Sequence, residues 1–419
     1  DTSAEKWEKI EGTLTAAGLP VEEYAALLAS LLSVPVPEHH RPPALSPELQ
    51  KQRTNEATLA WLRWEAERQP ALLVCEDLHW ADPSTLELLG LLFAQPQPAG
   101  LLVLLTYRPE FTLPWPVGDG VSLLNLERLS PVESAAIVAE VAGRRALPAA
   151  VSVQIVAQAD GVPLFVEELT KMVLESGLLQ EREERYALTG PLPPLAIPAT
   201  LHDSLMARLD RLATVKGLAQ LGATLGREFP YALLQAISPW DEATLQRGLH
   251  QLVEAEFLYQ RGLPPQATYV FKHALIQDAA YQSLLRSTRQ QHHQRIAQVL
   301  AERFPETAAI QPELVAHHYT AAGLREQAMP YWQQAGQRAL QRSATLEAVS
   351  HVTRGLEVLG TLPETPERAQ QELALQILLG AALGATRGQA APETARTYTR
   401  ACELARQVGS PPELFPALW

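Results

Sequence analysis

Two cysteines in 419 residues, Cys75 and Cys402, are too few for a disulfide scaffold, and neither has a metal-ligand spacing around it. Such sparse cysteine suits a reducing compartment, and a cytoplasmic location is expected. No apolar run approaches the roughly 18 residues that cross a bilayer, and the polar opening, residues 1–12, has no signal-peptide pattern. Membrane association is therefore not expected. A long basic run is also missing, and the net charge is −13. Affinity for phosphate backbones comes mainly from clustered Lys and Arg, so nucleic acid is an unlikely partner on this balance. The chain has no Gly-rich loop ending in Gly-Lys-Ser/Thr, the sequence that cradles nucleotide phosphates. All six lysines (Lys6, Lys9, Lys51, Lys171, Lys216 and Lys272) lie outside such a context.

What is present is ordinary for a globular chain of two to four domains, with 47% apolar and 19% charged residues. The most informative stretch is Leu-Leu-Val-Cys-Glu-Asp-Leu-His-Trp-Ala-Asp-Pro at residues 72–83. A short apolar run that ends in two adjacent acids reads as a buried strand delivering Glu76 and Asp77 to a Mg²⁺–phosphate centre. Asp82 is placed to cap the next helix, Pro83 fits its first turn, and Ser84 with Glu87 has capping-box spacing. Leu86, Leu89, Leu92 and Phe93 form its apolar stripe. A second apolar strand at 101–106 ends at Tyr107-Arg108-Pro109-Glu110. Strand, helix and strand within about 35 residues make a βαβ unit, for which a parallel sheet is expected.

Around this unit the pattern is helical. Residues 1–70 read as helices interrupted by the Pro-rich stretch 34–47, with an amphipathic helix over 54–69. One helix is expected over 131–142, and Gly161-Val162-Pro163 opens another that runs to Gly177. Residues 181–198, with Pro191, Pro193, Pro194 and Pro198, read as a linker. Thr200 caps a helix carrying Leu201, Leu205, Leu209 and Leu212 on one face. Up to about residue 286 the order is helices, a β-ribbon (257–260 and 268–272) and a further helix, which suits a winged helix. Beyond it, Trp332, Gly336, Ala348 and Gly355 fall at the spacings of key tetratricopeptide positions. Ala316, Tyr319, Ala328, Trp332 and Ala335 fit the same template 20 residues earlier, so the register stays open.

Residues 74–89 (VCEDLHWADPSTLELL) and 106–111 (TYRPEF) resemble the ATPase module of the STAND class of AAA-related signalling ATPases. The similarity is strongest to the ATPases fused to bacterial class III adenylate and guanylate cyclases. It extends to 161–169, 197–211, 271–285 and 335–359. The resemblance implies an α/β plus all-α fold: a partial parallel-sheet P-loop NTPase core over 1–130, a helical lid over 131–190, a winged helix over 195–290 and a tetratricopeptide-like α-solenoid over 291–419. It also implies that a Walker A loop and often a cyclase domain precede the position of Asp1, and that the repeats continue past Trp419.

By the same resemblance Glu76 takes the Mg²⁺-side position and Asp77 that of the water-activating acid, with ATP/ADP and Mg as cofactors. The order Glu-Asp, where the wider group shows Asp-Glu, leaves the division of labour open. Arg108 stands where a sensor residue reads the γ-phosphate, a role suited to a rigid guanidinium; the plain alternative is a pair with Glu110. Gly161 and Pro163 resemble the motif that packs on adenine, the plain alternative being a loop glycine and a helix-starting proline. His273 matches by position a histidine that touches the ADP β-phosphate, against a simple capping role. His79 belongs to the signature without an assigned chemistry.

The pairs His292-His293 and His317-His318 are adjacent, so on a helix their side chains diverge and a metal site is not expected. Arg208, Arg211, Arg286, Arg289 and Arg295 could form a basic face, against the plainer reading of solvated helix surface. The function expected is a nucleotide-switched signalling ATPase, with the repeats binding a protein partner. A scaffold with an inert ATPase remnant and a winged-helix transcription regulator are the alternatives. Without the phosphate cradle, little or no ATP turnover is expected of these 419 residues alone.

Overall fold

The computed structural model describes residues 2–32, 34–37, 40, 45–96, 98–116, 118, 120–182, 185–189 and 200–408. They belong to two compact units, Asp1–Val121 with Ala301–Trp419, and Ser122–Leu300. Among the described residues no helix is long and apolar enough to cross a membrane.

The first unit opens with α1 (Ser3–Ala16), where Thr2 and Glu5 form a reciprocal capping box, and α2 (Val21–Leu31). Trp7, Ile10 and Leu14 of α1 bury against Ala25, Ala26 and Ala29 of α2. Helix α3 (Pro47–Arg68) starts earlier than its apolar periodicity predicts. Ser46 accepts a hydrogen bond from the Leu49 N–H, and a Pro at the first helical position needs no donor. Then come β1 (Ala71–Cys75), a 3₁₀ turn (Leu78–Trp80), α4 (Pro83–Phe93) and β2 (Leu101–Leu105). The two strands pair in parallel, Ala71 opposite Leu101 through to Cys75 opposite Leu105, as the βαβ pattern requires.

Among the described residues, only one face of this pair is covered. Leu73, Cys75, Val103 and Leu105 pack with Leu59 of α3 and with Leu89 and Leu92 of α4. The alternate residues Leu72 and Leu102 are 62% and 65% exposed, with Val74 and Leu104 beside them. The side chains alternate between half-buried and exposed, so the buried strand expected from the sequence is instead a strand covered on one face. Strands that are apolar on both faces suit a sheet covered on both faces.

In the second unit, α5 (Pro131–Val141), α6 (Ala149–Ala159) and α7 (Pro163–Glu175) close on a core of Val138, Val151, Ile155, Val166, Leu169 and Met172. The expected linker begins instead as an antiparallel hairpin, β3 (Leu179–Glu181) with β4 (Tyr186–Leu188). The charged run at 181–185 hides its alternation, and pairing between neighbouring segments supplies what local pattern does not. The four prolines of that expectation lie outside the described residues. Helices α8 (Leu201–Arg211), α9 (Ala213–Leu225), α10 (Tyr231–Ile237) and α11 (Glu242–Glu254) are joined by a short strand β5 (Glu228–Pro230). The expected ribbon is present as β6 (Leu258–Arg261) and β7 (Thr268–Phe271). With β5 it makes a three-stranded antiparallel sheet in the order β5-β7-β6, followed by α12 (Ala274–Gln282) and α13 (Arg286–Arg303).

Arg208 departs from the expectation of a solvated surface. It is 3% exposed and bonds Glu168 (1% exposed) at 2.5 Å, Glu175 at 3.0 Å and the Ala255 carbonyl at 3.0 Å. Helix α8 packs on α7 at this place, so the face bearing Arg208 turns inward. A buried guanidinium of this kind needs each partner.

From residue 301 onward the first unit continues with α14 (Pro305–Ile310), α15 (Pro312–Ala322), α16 (Arg325–Gln341), α17 (Thr345–Gly360), α18 (Pro366–Arg387) and α19 (Pro392–Val408). From α15 on, each packs on the next, and α16 also touches α18. That pattern fits paired helices in either of the two repeat registers the sequence allows. Trp332 is buried and its Nε1–H donates to the Thr320 hydroxyl at 3.0 Å. A Cβ at Gly336 would lie 2.4 Å from Val352 Cγ2, so only glycine admits the observed approach of α16 to α17.

Candidate functional site

Glu76 and Asp77 follow directly from the last residue of β1, at the carboxyl end of the parallel pair, where open α/β sheets carry their ligands. The backbone there is held by the neighbouring strand. Thr106 N–H donates to the Cys75 carbonyl at 3.0 Å, and Leu78 N–H donates to the Thr106 carbonyl at 2.8 Å. Asp77 N–H donates to the Thr106 hydroxyl at 3.0 Å. Asp77 is itself in the left-handed region (φ 54°, ψ 43°), which costs a non-glycine residue conformational energy and turns the chain into the 3₁₀ segment. Glu76 is exposed and Asp77 half-buried.

Arg108, from the end of β2, reaches the same corner. Its guanidinium lies 5.6 Å from the centre of the Trp80 ring, a cation–π contact. The Trp80 ring also sits against His79, with centroids 4.7 Å apart. Both His79 ring nitrogens are sealed from solvent with no hydrogen-bond partner among the described residues. The structure thus brings Glu76, Asp77, His79 and Arg108 to one end of one sheet. Burial pushes the thiol of Cys75 up.

Behind this corner α4 is held at its first turn. Asp82 accepts from the Thr85 N–H at 2.8 Å and from its hydroxyl at 2.6 Å, the predicted cap. The predicted Ser84–Glu87 box is not formed. Ser84 donates its N–H (3.0 Å) and its hydroxyl (2.9 Å) to Glu347 in the first turn of α17, and Glu87 pairs with Lys51 of α3. Burial raises the Glu347 carboxyl above its usual range, and the facing Asp82 raises it further. Burial also works to raise Asp82, but hydrogen bonds from Thr85 and Glu347 outweigh it and hold that carboxyl low. The two facing carboxyls are thus pushed in opposite directions. Sequence reasoning missed Glu347 because nothing near it differs from any exposed helix-start glutamate.

The remaining predicted residues lie in the second unit. Gly161 adopts φ +72°, accepts a hydrogen bond at its carbonyl from the Leu129 N–H (2.8 Å) and would place a Cβ 2.4 Å from the Leu129 oxygen. Pro163 is the first residue of α7. Arg128 pairs with Asp160 beside them. His273 is the N-cap of α12, its Nδ1 accepting from the Leu275 N–H at 3.2 Å. The preceding Lys272 bonds Glu256 (2.9 Å) and Glu167 of α7 (3.0 Å), and Lys171 joins both carboxylates. Those ammonium groups pull the Glu256 carboxyl down to about 2. Burial alone would lower Lys272, yet Glu256 and Glu167 hold it above its usual value.

Of the histidine pairs, His293 is buried with Nε2 2.9 Å from the Tyr281 hydroxyl, while burial lowers the pKa of its neighbour His292. His317 is likewise lowered by burial and by Arg354. Among the described residues no three His, Cys, Asp or Glu side chains converge on a metal position.

No family model matches the chain. An uncharacterized protein of Rhizobium meliloti (strain 1021) is 29% identical over 378 residues, covering 89% of this chain. The chain spans 36% of that relative's length. Among solved structures, the crystal structure of a signal transduction ATPase with numerous domains, with a tetratricopeptide repeat sensor, from Pyrococcus horikoshii aligns with all of this chain and 65% of its own. The TM-score is 0.40 at 10% identity.

Proposed function

We propose that this chain is part of a nucleotide-switched regulatory ATPase, in which Glu76, Asp77 and Arg108 form the hydrolytic edge of the site. The observation that carries this reading is the delivery of two adjacent acids and an arginine to the carboxyl end of one parallel strand pair. Oxygen donors of this kind suit Mg²⁺, and they cover only the metal and water side of a nucleotide. Bound Mg²⁺ would neutralise phosphate charge there. Glu76, the more exposed acid, would face the hydrated ion. Asp77, whose backbone is tied to Thr106, has the fixed orientation needed to position water. Arg108, steadied on Trp80, would contact the terminal phosphate.

Gly161 and Pro163 are proposed to meet the adenine, and His273, the N-cap of α12, to contact a phosphate. The sheet pair with one uncovered apolar face is consistent with further strands contributed by a longer protein. The region over 195–290 would serve as a winged-helix switch, with the stacked helices from 291 onward recruiting a protein partner. Nucleotide state would then set the activity of an attached output domain, such as a nucleotide cyclase.

Hydrolysis in the longest natural form of the protein tests the reading. Asp77→Asn should lower ATP turnover about 100-fold or more, with binding retained. Full turnover in that variant would overturn the assignment. Residues 1–419 alone should release little phosphate, no more than a Glu76→Gln/Asp77→Asn control.

A further inference from the structure

Within the first unit a cavity of about 870 Å³ lies among α3, α4, the turn between α16 and α17, and α18. Most of the charges on its wall are already paired. Lys51 is bound to Glu87, and Glu56 to Arg53, while Glu48 is exposed in the first turn of α3. Arg63 is different. Its Nε and Nη2 are sealed from solvent and have no hydrogen-bond partner among the described residues. Ser343 is 1% exposed, and its hydroxyl is likewise unpartnered. It occupies the α16–α17 turn at φ +61°, a conformation that a serine adopts only when its surroundings impose it.

Sealed donors without acceptors are uncommon in folded proteins, and an absent bound group is one of their regular explanations. A guanidinium with two unmatched N–H groups selects an anionic oxygen acceptor. The rest of the wall is mixed: amides and hydroxyls from Gln52, Asn55 and Thr345 stand among a larger apolar surface that includes Leu59, Leu91 and Leu346. The volume is that of a small-molecule site. We propose that this cavity binds a small polyhydroxylated anion. Arg63 takes its carboxylate or phosphate, Ser343 contacts a hydroxyl, and the amides read the remainder.

The place of the cavity gives the ligand a route to the acidic corner. Thr345 and Leu346 on its wall immediately precede Glu347, and Glu87 follows Ser84 by one turn of α4. A ligand drawn between α3 and α17 bears directly on the Ser84–Glu347 contact. The proposal rests on the cavity alone and stands whether or not Glu76 and Asp77 handle nucleotide.

Calorimetric titration of the full chain with glucose 6-phosphate and with gluconate tests it, with glucose as the uncharged control. At least one anion should bind with Kd below about 1 mM, and glucose should not. Which anion binds distinguishes a phosphate from a carboxylate as the recognised group. Arg63→Met should weaken binding about tenfold or more. Leu346→Trp, which fills the cavity and leaves Arg63 in place, should abolish it, so a folding defect in one variant does not decide the matter. Absence of binding by both anions, equal binding of glucose, or binding untouched by the two substitutions would overturn the proposal.

Discussion

Ser84 gives both its backbone N–H and its hydroxyl to the carboxyl group of Glu347, 263 positions further along the chain. The contact ties the turn after the acidic strand end to the first turn of a repeat helix. It is a direct mechanical link between the corner that holds Asp77 and the stacked helices, and it lies in a half-buried setting where a hydrogen bond to a charged or shared-proton group is stronger than at the surface.

This link should respond to pH. A carboxyl whose folded-state pKa is raised contributes stability while it stays protonated, and that contribution is lost as pH rises through the raised value. Burial and Asp82 raise the Glu347 carboxyl while the Ser84 bonds oppose that rise, so the stability of this buried contact with Asp82 should fall as pH climbs above the usual carboxylate range. Glu347→Gln keeps the shape and cannot ionise. Thermal unfolding from pH 5 to pH 8 should therefore show a shallower pH dependence in the variant than in the parent protein, and equal slopes would refute the assignment.

Arg208→Met should destabilise the second unit by about 3–5 kcal/mol, because Glu168 is left in the interior without its main partner. Combining it with Glu168→Leu should recover most of that loss. Chemical denaturation of the two single variants and the double variant measures the recovery; a double variant as unstable as the sum of the singles would contradict the pairing.

The Lys171, Lys272, Glu167 and Glu256 cluster should protect against acid only down to a limit. Glu256 is depressed to about 2, so its contribution is complete above its usual value and lost as pH falls towards about 2. The carboxylate is half-exposed, so the effect is small, within about 1 kcal/mol and reduced by salt. Glu256→Gln should lower stability at neutral pH by that amount and leave it unchanged near pH 2.

Gly336→Ala forces a methyl into Val352, whose branched side chain has little freedom to retreat. The substitution should cost about 1–3 kcal/mol. Val352→Ala introduced alongside it makes room, and the double variant should be less impaired than the two single losses added together. Strict additivity in a melting experiment would show that the two residues do not meet.

Much of the local architecture was legible in the residues. Asp82 and Pro83 start α4, Thr200 caps α8, and the two apolar runs pair in parallel as a βαβ unit should. These features depend on side chains within a turn of one another, so a linear pattern carries them. Legible too was the sequence placement of the acids at a strand end. The misreadings share a different cause. Ser84 and Glu87 had the spacing of a local box but found partners on α17 and α3. Arg208 looked like one of several surface arginines until α7 and α8 closed around it.

The sequence by itself determined where β1, β2 and the capped helices α4 and α8 fall, and that Glu76 and Asp77 leave β1 together, because hydrogen-bond caps and apolar periodicity act over three or four residues. Only the tertiary structure decided which carboxyl meets Ser84, which arginine is buried, and that Arg63 and Ser343 face one cavity. Those outcomes are contacts between segments tens to hundreds of residues apart, and their energetics come from burial and charge pairing that no short stretch of chain contains.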